Sequence, residues 1–205
     1  MINANIYLEA GLAFHGHKCP IMPMGLRAGT AAMNRLGVTR AKDKELFALV
    51  ELGDGHFAHC FADGIQVATG CTFGKENLRK TGYGKFGVTL VDRISRRAVR
   101  VVLKSDVQAR MKETIFFEEF WKKGVPASQV PAIIMDPLVR MVMDTSEESL
   151  LRIGELFLSD EVRTSEPSES FACDRCGELV VEKYGRLVGG RNVCIPCRDK
   201  LLSGK

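Results

Sequence analysis

The chain has 205 residues, is 45% hydrophobic and 26% charged, and carries a formal net charge of +4. That balance fits a globular protein and excludes a disordered, collagenous or coiled-coil chain, while so small a positive charge does not announce a nucleic-acid binder. No run of about 18 apolar residues occurs and residues 1–9 lack the basic start and apolar core of a secretory signal, so the expectation is a cytoplasmic protein without a membrane partner.

In chain order, Ile2 to Phe14 has apolar residues at helical spacing and stops before the Gly16 to Pro20 region. Met22 to Leu36, rich in Ala and Met and closed by Gly37, predicts a second helix. Leu46 to Leu52 reads as a short strand before the Gly53-Asp54-Gly55 turn, and Ala58 to Ala68 as a helix with Cys60 and Asp63 on neighbouring turns. Phe86 to Ile94 and Ala98 to Lys104 form a hairpin around Ser95, Arg96 and Arg97. Val107 to Lys123 and Ser128 to Asp144 read as helices, the second broken or kinked by Pro131 and Pro137, and Glu147 to Leu158 as a last helix. The sum is an α+β domain, an antiparallel sheet with packed helices, over residues 1–158. Residues 159–170, polar and acidic with Pro167, read as a linker to a small domain at 171–205.

Seven cysteines in a reducing compartment point to metal ligands or catalysts before disulfides, and the odd number rules out full pairing within one chain. Cys173 and Cys176, followed after seventeen residues by Cys194 and Cys197, have the two-pair spacing of a structural Zn(2+) site. Two intervening residues let one tight knuckle present both thiolates to a single ion. Leu179 to Tyr184 and Leu187 to Val193 predict a hairpin through Gly185, with a helix from Arg198 to Leu202, as in a treble-clef or ribbon zinc finger. About 35 residues bury too little to fold unaided, so the ion supplies the missing stability. The finger either binds nucleic acid or protein, or is a metal-stapled cap. An excess of three basic residues over acids in 171–205 leaves nucleic acid as a partner that is not favoured.

All four histidines lie at the front, among Cys19, Cys60 and Cys71. His15, Gly16, His17, Lys18, Cys19 and Pro20 pack two imidazoles and a thiol together; in an extended segment His15, His17 and Cys19 share one side. Imidazole with thiolate suits zinc or another transition metal, and the plainer alternative is a loop with one core histidine and a buried free cysteine. Further on, Cys60, Asp63 and Gln66 or Val67 share a helical face, and Gly70 and Gly74 frame Cys71 and Thr72. The stretch from Gly70 to Lys75 is no phosphate loop, because only three residues separate its glycines where four are needed and Glu76 follows the lysine; Lys75 is kept as a contact for an anionic ligand. His56 and His59 flank Phe57 as solvated or supporting histidines. Arg93, Arg96, Arg97 and Arg100 make a basic turn. The run Phe116, Phe117, Phe120 and Trp121 cannot occupy one helical face, so part of it meets a partner protomer or another segment.

His15 to Pro20 with Gly25 and Arg27, and Cys60 to Gln66 with Thr69 to Thr72, Gly74 and Lys75, resemble the FmdE family of formylmethanofuran dehydrogenase components, some of whose members carry a terminal cysteine finger. The resemblance implies a metal-containing α+β domain that associates into homodimers, without implying one reaction. It implies His17, Cys19 and Cys60 as the front metal set, with Cys71 and His15 next. One imidazole and two thiolates leave a fourth position for water, substrate or Cys71. An open position suggests an enzyme acting on a small anionic or pterin-like molecule, with the metal as Lewis acid or Cys71 as a redox thiol in oxidoreductase-related chemistry. The alternative is a non-catalytic accessory or regulatory protein whose finger contacts protein or nucleic acid.

Overall fold

The computed structural model describes residues 1–54, 59–161 and 169–204. The chain divides into two compact units, Met1–Val162 and Arg163–Lys205. Of the expected linker, Ser159 donates its N–H to Arg96 O and Ser170 opens a strand; 162–168 lie outside the described residues.

In the first unit a 3-10 turn leads into α1 (Leu8–His15), followed by α2 (Ile21–Leu36), β1 (Leu46–Val50), α3 (Cys60–Thr69), β2 (Leu78–Lys80), β3 (Gly87–Asp92) and β4 (Arg97–Leu103). Then come α4 (Ser105–Lys112), a π-helical turn (Phe116–Trp121), α5 (Ala132–Asp144), α6 (Glu147–Leu150), β5 (Leu151–Ile153) and β6 (Phe157–Leu158). The sheet runs β2-β1-β3-β4-β5, with β6 also on β4. It is antiparallel, except that β2 runs parallel to β1 with Leu78 opposite Ala48. Three residues are too few to show a period, which hides β2 from sequence reading.

Alternation along β1 sends Leu46, Ala48 and Val50 to the main core and Phe47 to the other face, where it meets Val91 and Ala98. On the core side lies α2, buried almost all round, as its run of Met, Ala and Leu dictates. It packs on α3 and on β3 and β4. The α2–α3 contact is backbone on backbone. A Cβ at Gly25 would lie 2.0 Å from Phe61 O, and one at Gly64 would lie 2.1 Å from Met22 O. Only glycine permits this approach at either position, and it brings the N-terminal ends of α2 and α3 together. Arg27 leaves the same helix to donate to Val142 O at 2.8 Å and Met143 O at 2.7 Å, closing the C-terminus of α5.

Three expected elements differ. The helix from Glu147 stops at Leu150, because Leu151 to Ile153 complete the sheet edge on β4 and Gly154 donates to Arg100 O. The helix from Val107 breaks after Lys112: Thr114 caps the next turn, which resumes as the π-helical segment. Pro131 marks the start of α5 and does not kink it, while Pro137 is tolerated inside, where its missing N–H falls opposite the carbonyl of exposed Ile133.

The second unit pairs β7 (Ser170–Ala172) with β8 (Leu179–Val181), and β9 (Gly185–Val188) with β10 (Arg191–Cys194), before α7 (Ile195–Leu202). The single hairpin expected through Gly185 is therefore two hairpins. The second turns at Gly189 and Gly190, and α7 begins early enough to carry Cys197. Among the described residues no helix is long and apolar enough to cross a membrane.

Candidate metal centres

In the second unit Cys173, Cys176, Cys194 and Cys197 bring their sulfurs within 4.8 Å of one another, a set that can hold one metal ion. The first pair lies in the turn between β7 and β8; the second spans the junction of β10 with α7. Gly177, at φ +73°, donates to Cys173 O at 2.8 Å and closes the knuckle. Cys194 N–H donates to Cys173 Sγ at 3.3 Å, and Cys176 Sγ lies 4.0 Å from Cys194 Sγ. The amides of Cys176 and Cys194 draw the Cys173 thiol down to about 6, whereas burial among the other sulfurs pushes Cys197 up to about 12. The unit's small core is built on Cys173, Val193, Cys194 and Cys197, so three of the four cysteines that can hold an ion are also its packing.

The front centre is assembled from three helix ends. His15 is the last residue of α1; Gly16, at φ +85°, turns the chain back so that His17 stacks tilted on His15 with ring centroids 4.1 Å apart. The segment is thus a helix end and a reversal, so the three come together without the extended conformation under which alternation would put them on one side. Cys19 precedes α2, and its Sγ accepts the Met22 N–H at 3.4 Å. Cys60 opens α3. Helix N-termini carry partial positive charge, so both thiols sit where thiolates are favoured, and His15 sits at a C-terminus where a cation is favoured.

The side chains converge. His15 Nε2 lies 3.4 Å from Cys19 Sγ, close to the roughly 3.6 Å edge that zinc–nitrogen and zinc–sulfur lengths give for a tetrahedron. The ligand atoms of His15, His17 and Cys19 all lie within 4.8 Å of one another. Cys60 stands near enough to Cys19 and His15 for the three to perturb one another's protonation, but it lies outside the set whose ligand atoms are all within 4.8 Å. The interaction with Cys60 draws the Cys19 thiol down, helped by the Met22 and Ile21 amides, and the same interaction with burial pushes Cys60 up. Hydrogen bonding to Asp63, then to Cys60, raises His15 to about 9; burial and the neighbouring His15 lower His17.

Asp63 is the residue sequence reading undervalued. Its Oδ2 meets His15 Nδ1 at 2.8 Å, and the visible signal was its three-residue spacing from Cys60. His17, Cys19 and Cys60 face a cavity of about 350 Å³ walled by Phe116, Phe117 and Trp121 and rimmed by Gly124 to Ala127. The aromatic run thus divides: Phe116 and Phe117 are buried, Phe117 stacks on Trp121 at 4.6 Å, and Phe120 packs against the core.

Cys71 is not brought to this centre. It is fully buried past the far end of α3, about 15 Å of helix from Cys60 at 1.5 Å per residue, and burial holds its thiol up at about 11. Lys75 turns inward and donates to Ala41 O and Lys42 O. Buried Asn77 organises the same loop, accepting from Thr72 N–H and donating to Asp43 O and Leu46 O. His59 Nε2 lies 3.1 Å from Gly53 O; His56 and Phe57 lie outside the described residues.

Residues 14–152 match the family described as FmdE, molybdenum formylmethanofuran dehydrogenase operon. The structure is similar to the crystal structure of a tungsten formylmethanofuran dehydrogenase FmdE-like protein from Syntrophus aciditrophicus, with a TM-score of 0.62 at 20% identity over 95% of this chain and 91% of that one. A curated protein of Archaeoglobus fulgidus, described as a probable S-adenosyl-L-methionine-binding protein, is 28% identical over 179 residues; the match covers 82% of this chain and 47% of the relative, so the chain spans about half that relative's length. With the family match extending over more than half of its residues, and the His15-to-Pro20 and Cys60-to-Lys75 segments inside it, the chain belongs to the FmdE family.

Proposed function

We propose that His15, His17, Cys19 and Cys60 hold one Zn(2+) or related transition-metal ion, and that the protein uses this centre on a small planar molecule of pterin-like shape. The observation that carries the reading is the convergence of His17, Cys19 and Cys60 on one wall of an aromatic cavity. About 350 Å³ is at the small end for a ligand pocket. Among the described residues no Lys or Arg lines it, which favours a flat, largely neutral ring over the anionic class. The stacked pair Phe117 and Trp121 offers the flat contact, and two soft thiolates with imidazole suit a borderline metal. A bound ion would polarise a donor atom of that ring as a Lewis acid, accepting it as a further ligand. Cys71 and Lys75 do not enter this reading.

The test joins metal analysis to binding. The full chain should carry two ions and Cys60→Ser one, and a pterin should quench Trp121, the only tryptophan, in a Phe117→Ala-sensitive way. Unchanged metal content in Cys60→Ser sinks the front centre. Quenching by S-adenosylmethionine but not by a pterin would replace the ligand class with the one named for the Archaeoglobus relative. The four-cysteine cluster is proposed as a structural zinc finger. A second reading, an accessory protein whose finger meets another protein, draws on the exposure of Leu179, Leu187 and Leu202. On this reading, nucleic acid should not bind at about 100 mM salt. We also propose a cytoplasmic homodimer, whose dimeric state light scattering tests directly.

A further inference from the structure

The second family segment poses a question: Cys71 and Lys75 stay away from the front centre, yet the loop that carries them is tied to it. Phe73 N–H donates to Gln66 Oε1 at 3.2 Å, Gln66 Nε2 reaches Asp63 Oδ1 at 3.4 Å, and Asp63 Oδ2 meets His15 Nδ1 at 2.8 Å. We propose that Asp63 is a positioning residue of the metal centre, fixing His15 as the Nδ1–H tautomer so that Nε2 is the atom offered to the ion.

The inference rests on the metal reading above and adds to it a residue, a tautomer and a reason for the loop. A carboxylate oxygen only accepts, so the hydrogen between Asp63 and His15 resides on Nδ1. Once the ion displaces the proton of Nε2, that nitrogen's lone pair is the one on the side of Cys19, 3.4 Å away. Asp63 is not itself placed as a ligand, since one oxygen faces His15 and the other faces Gln66. Gln66 is oriented in turn, because its oxygen takes the Phe73 N–H and leaves its amino group for Asp63. The His15 side chain is 9% exposed, so water does not readily replace this partner. A carboxylate behind a ligating imidazole fixes ring orientation and raises ligand basicity, and its loss typically weakens metal affinity by roughly 10–100-fold. Asp63, Gln66 and the Phe73 N–H are therefore the frame behind His15, which gives part of the second family segment a role without placing it among the donors.

The experiment is a zinc competition titration of the full chain, in which the step lost in Cys60→Ser identifies the front centre. Asp63→Asn should weaken that step by roughly 10–100-fold and leave the finger step in place. In Co(II)-loaded protein it should also abolish or strongly move the hyperfine-shifted, exchangeable Nδ1–H resonance of the His15 imidazole. Asp63→Glu keeps the carboxylate and should retain most of the affinity while moving that resonance. Titrations of Asp63→Asn that superimpose on wild type in both steps overturn the proposal, and an unmoved resonance in Asp63→Glu does so even where Asp63→Asn fails to fold. A wild-type chain with only the finger step overturns the metal reading itself and this inference with it, a result distinct from the other two.

Discussion

Substituting Gly64 by alanine tests whether the α2–α3 contact sets the front centre. The added Cβ would sit 2.1 Å from Met22 O and 2.5 Å from Leu26 N, where ordinary contact begins at 3.4 Å, so the helices must part by about 1.3 Å. Both obstructing atoms are backbone, so no rotamer change relieves them. Overpacking a tight interior costs about 1–3 kcal/mol, and a backbone obstruction belongs at the upper end of that range. The same displacement acts on chemistry, because the parting helices carry Cys19 and Cys60 at their N-terminal ends and metal–ligand lengths tolerate only about ±0.2 Å. Urea unfolding followed at Trp121 should show a loss of about 3 kcal/mol, and metal analysis should show one ion per chain, the one in the finger. A Gly64→Ala chain within about 1 kcal/mol of wild type that still binds both ions would refute the packing argument.

Removing both Cys173 and Cys176 should release one ion and make residues 171–205 protease-sensitive, with the unfolding transition at Trp121 unchanged; equal resistance with and without metal would contradict the ion's role in that unit. Native protein should alkylate Cys71 very slowly compared with metal-free Cys176, because Cys71 is fully buried with its thiol raised and Cys176 is exposed; peptide mass mapping over time decides this. Without metal, the raised His15 makes its pairing with Asp63 a stabiliser that is fully present below the unfolded value of 6.5 and is lost as pH rises through about 9. The urea-midpoint gap between metal-free wild type and Asp63→Asn should therefore shrink as pH rises from the unfolded value past the folded one, and a gap constant with pH would remove that linkage. Lys75→Met should lower stability by about 1 kcal/mol through two lost carbonyl contacts while leaving metal affinity unchanged, and a metal-affinity loss would return Lys75 to the site.

What could be read from the sequence follows the range of each signal. The two-pair spacing of Cys173 to Cys197 is a local rule, and the four sulfurs meet as it requires. Gly37 ends α2 as its position predicts, since a left-handed cap needs no distant partner. Leu151 to Ile153 could not be read, because their strand character comes from β4, about fifty residues earlier in the chain, and overrides local helical spacing. The same holds at the front. Alternation over His15, His17 and Cys19 correctly grouped them by assuming an extended chain, whereas their meeting depends on Gly16 and on two helices closing over Gly25 and Gly64. Asp63 could be placed on the face of Cys60 from spacing alone, but its partner, His15, is 48 residues away and becomes visible only in the fold.

The family segments thus separate into residues that supply donor atoms and residues that set where those atoms stand. On the proposed reading, His15, His17, Cys19 and Cys60 supply nitrogen and sulfur. Gly16, Gly25, Gly64, Asp63 and Gln66 supply none to the ion, yet each removes a freedom that would scatter the donors: a chain reversal, a helix separation, a ring tautomer, a carboxylate rotamer. Electrostatics points the same way, since both thiols stand at helix N-termini and His15 at a C-terminus, so each donor is placed in the end field that favours its charge. Cys71 makes the contrast: with a thiol of the same kind but at the C-terminal end of α3, fully buried and carrying a raised thiol, it has neither the field nor the neighbours that a ligand thiolate requires. A cysteine's neighbourhood, more than its presence in a motif, decides its chemistry in this chain.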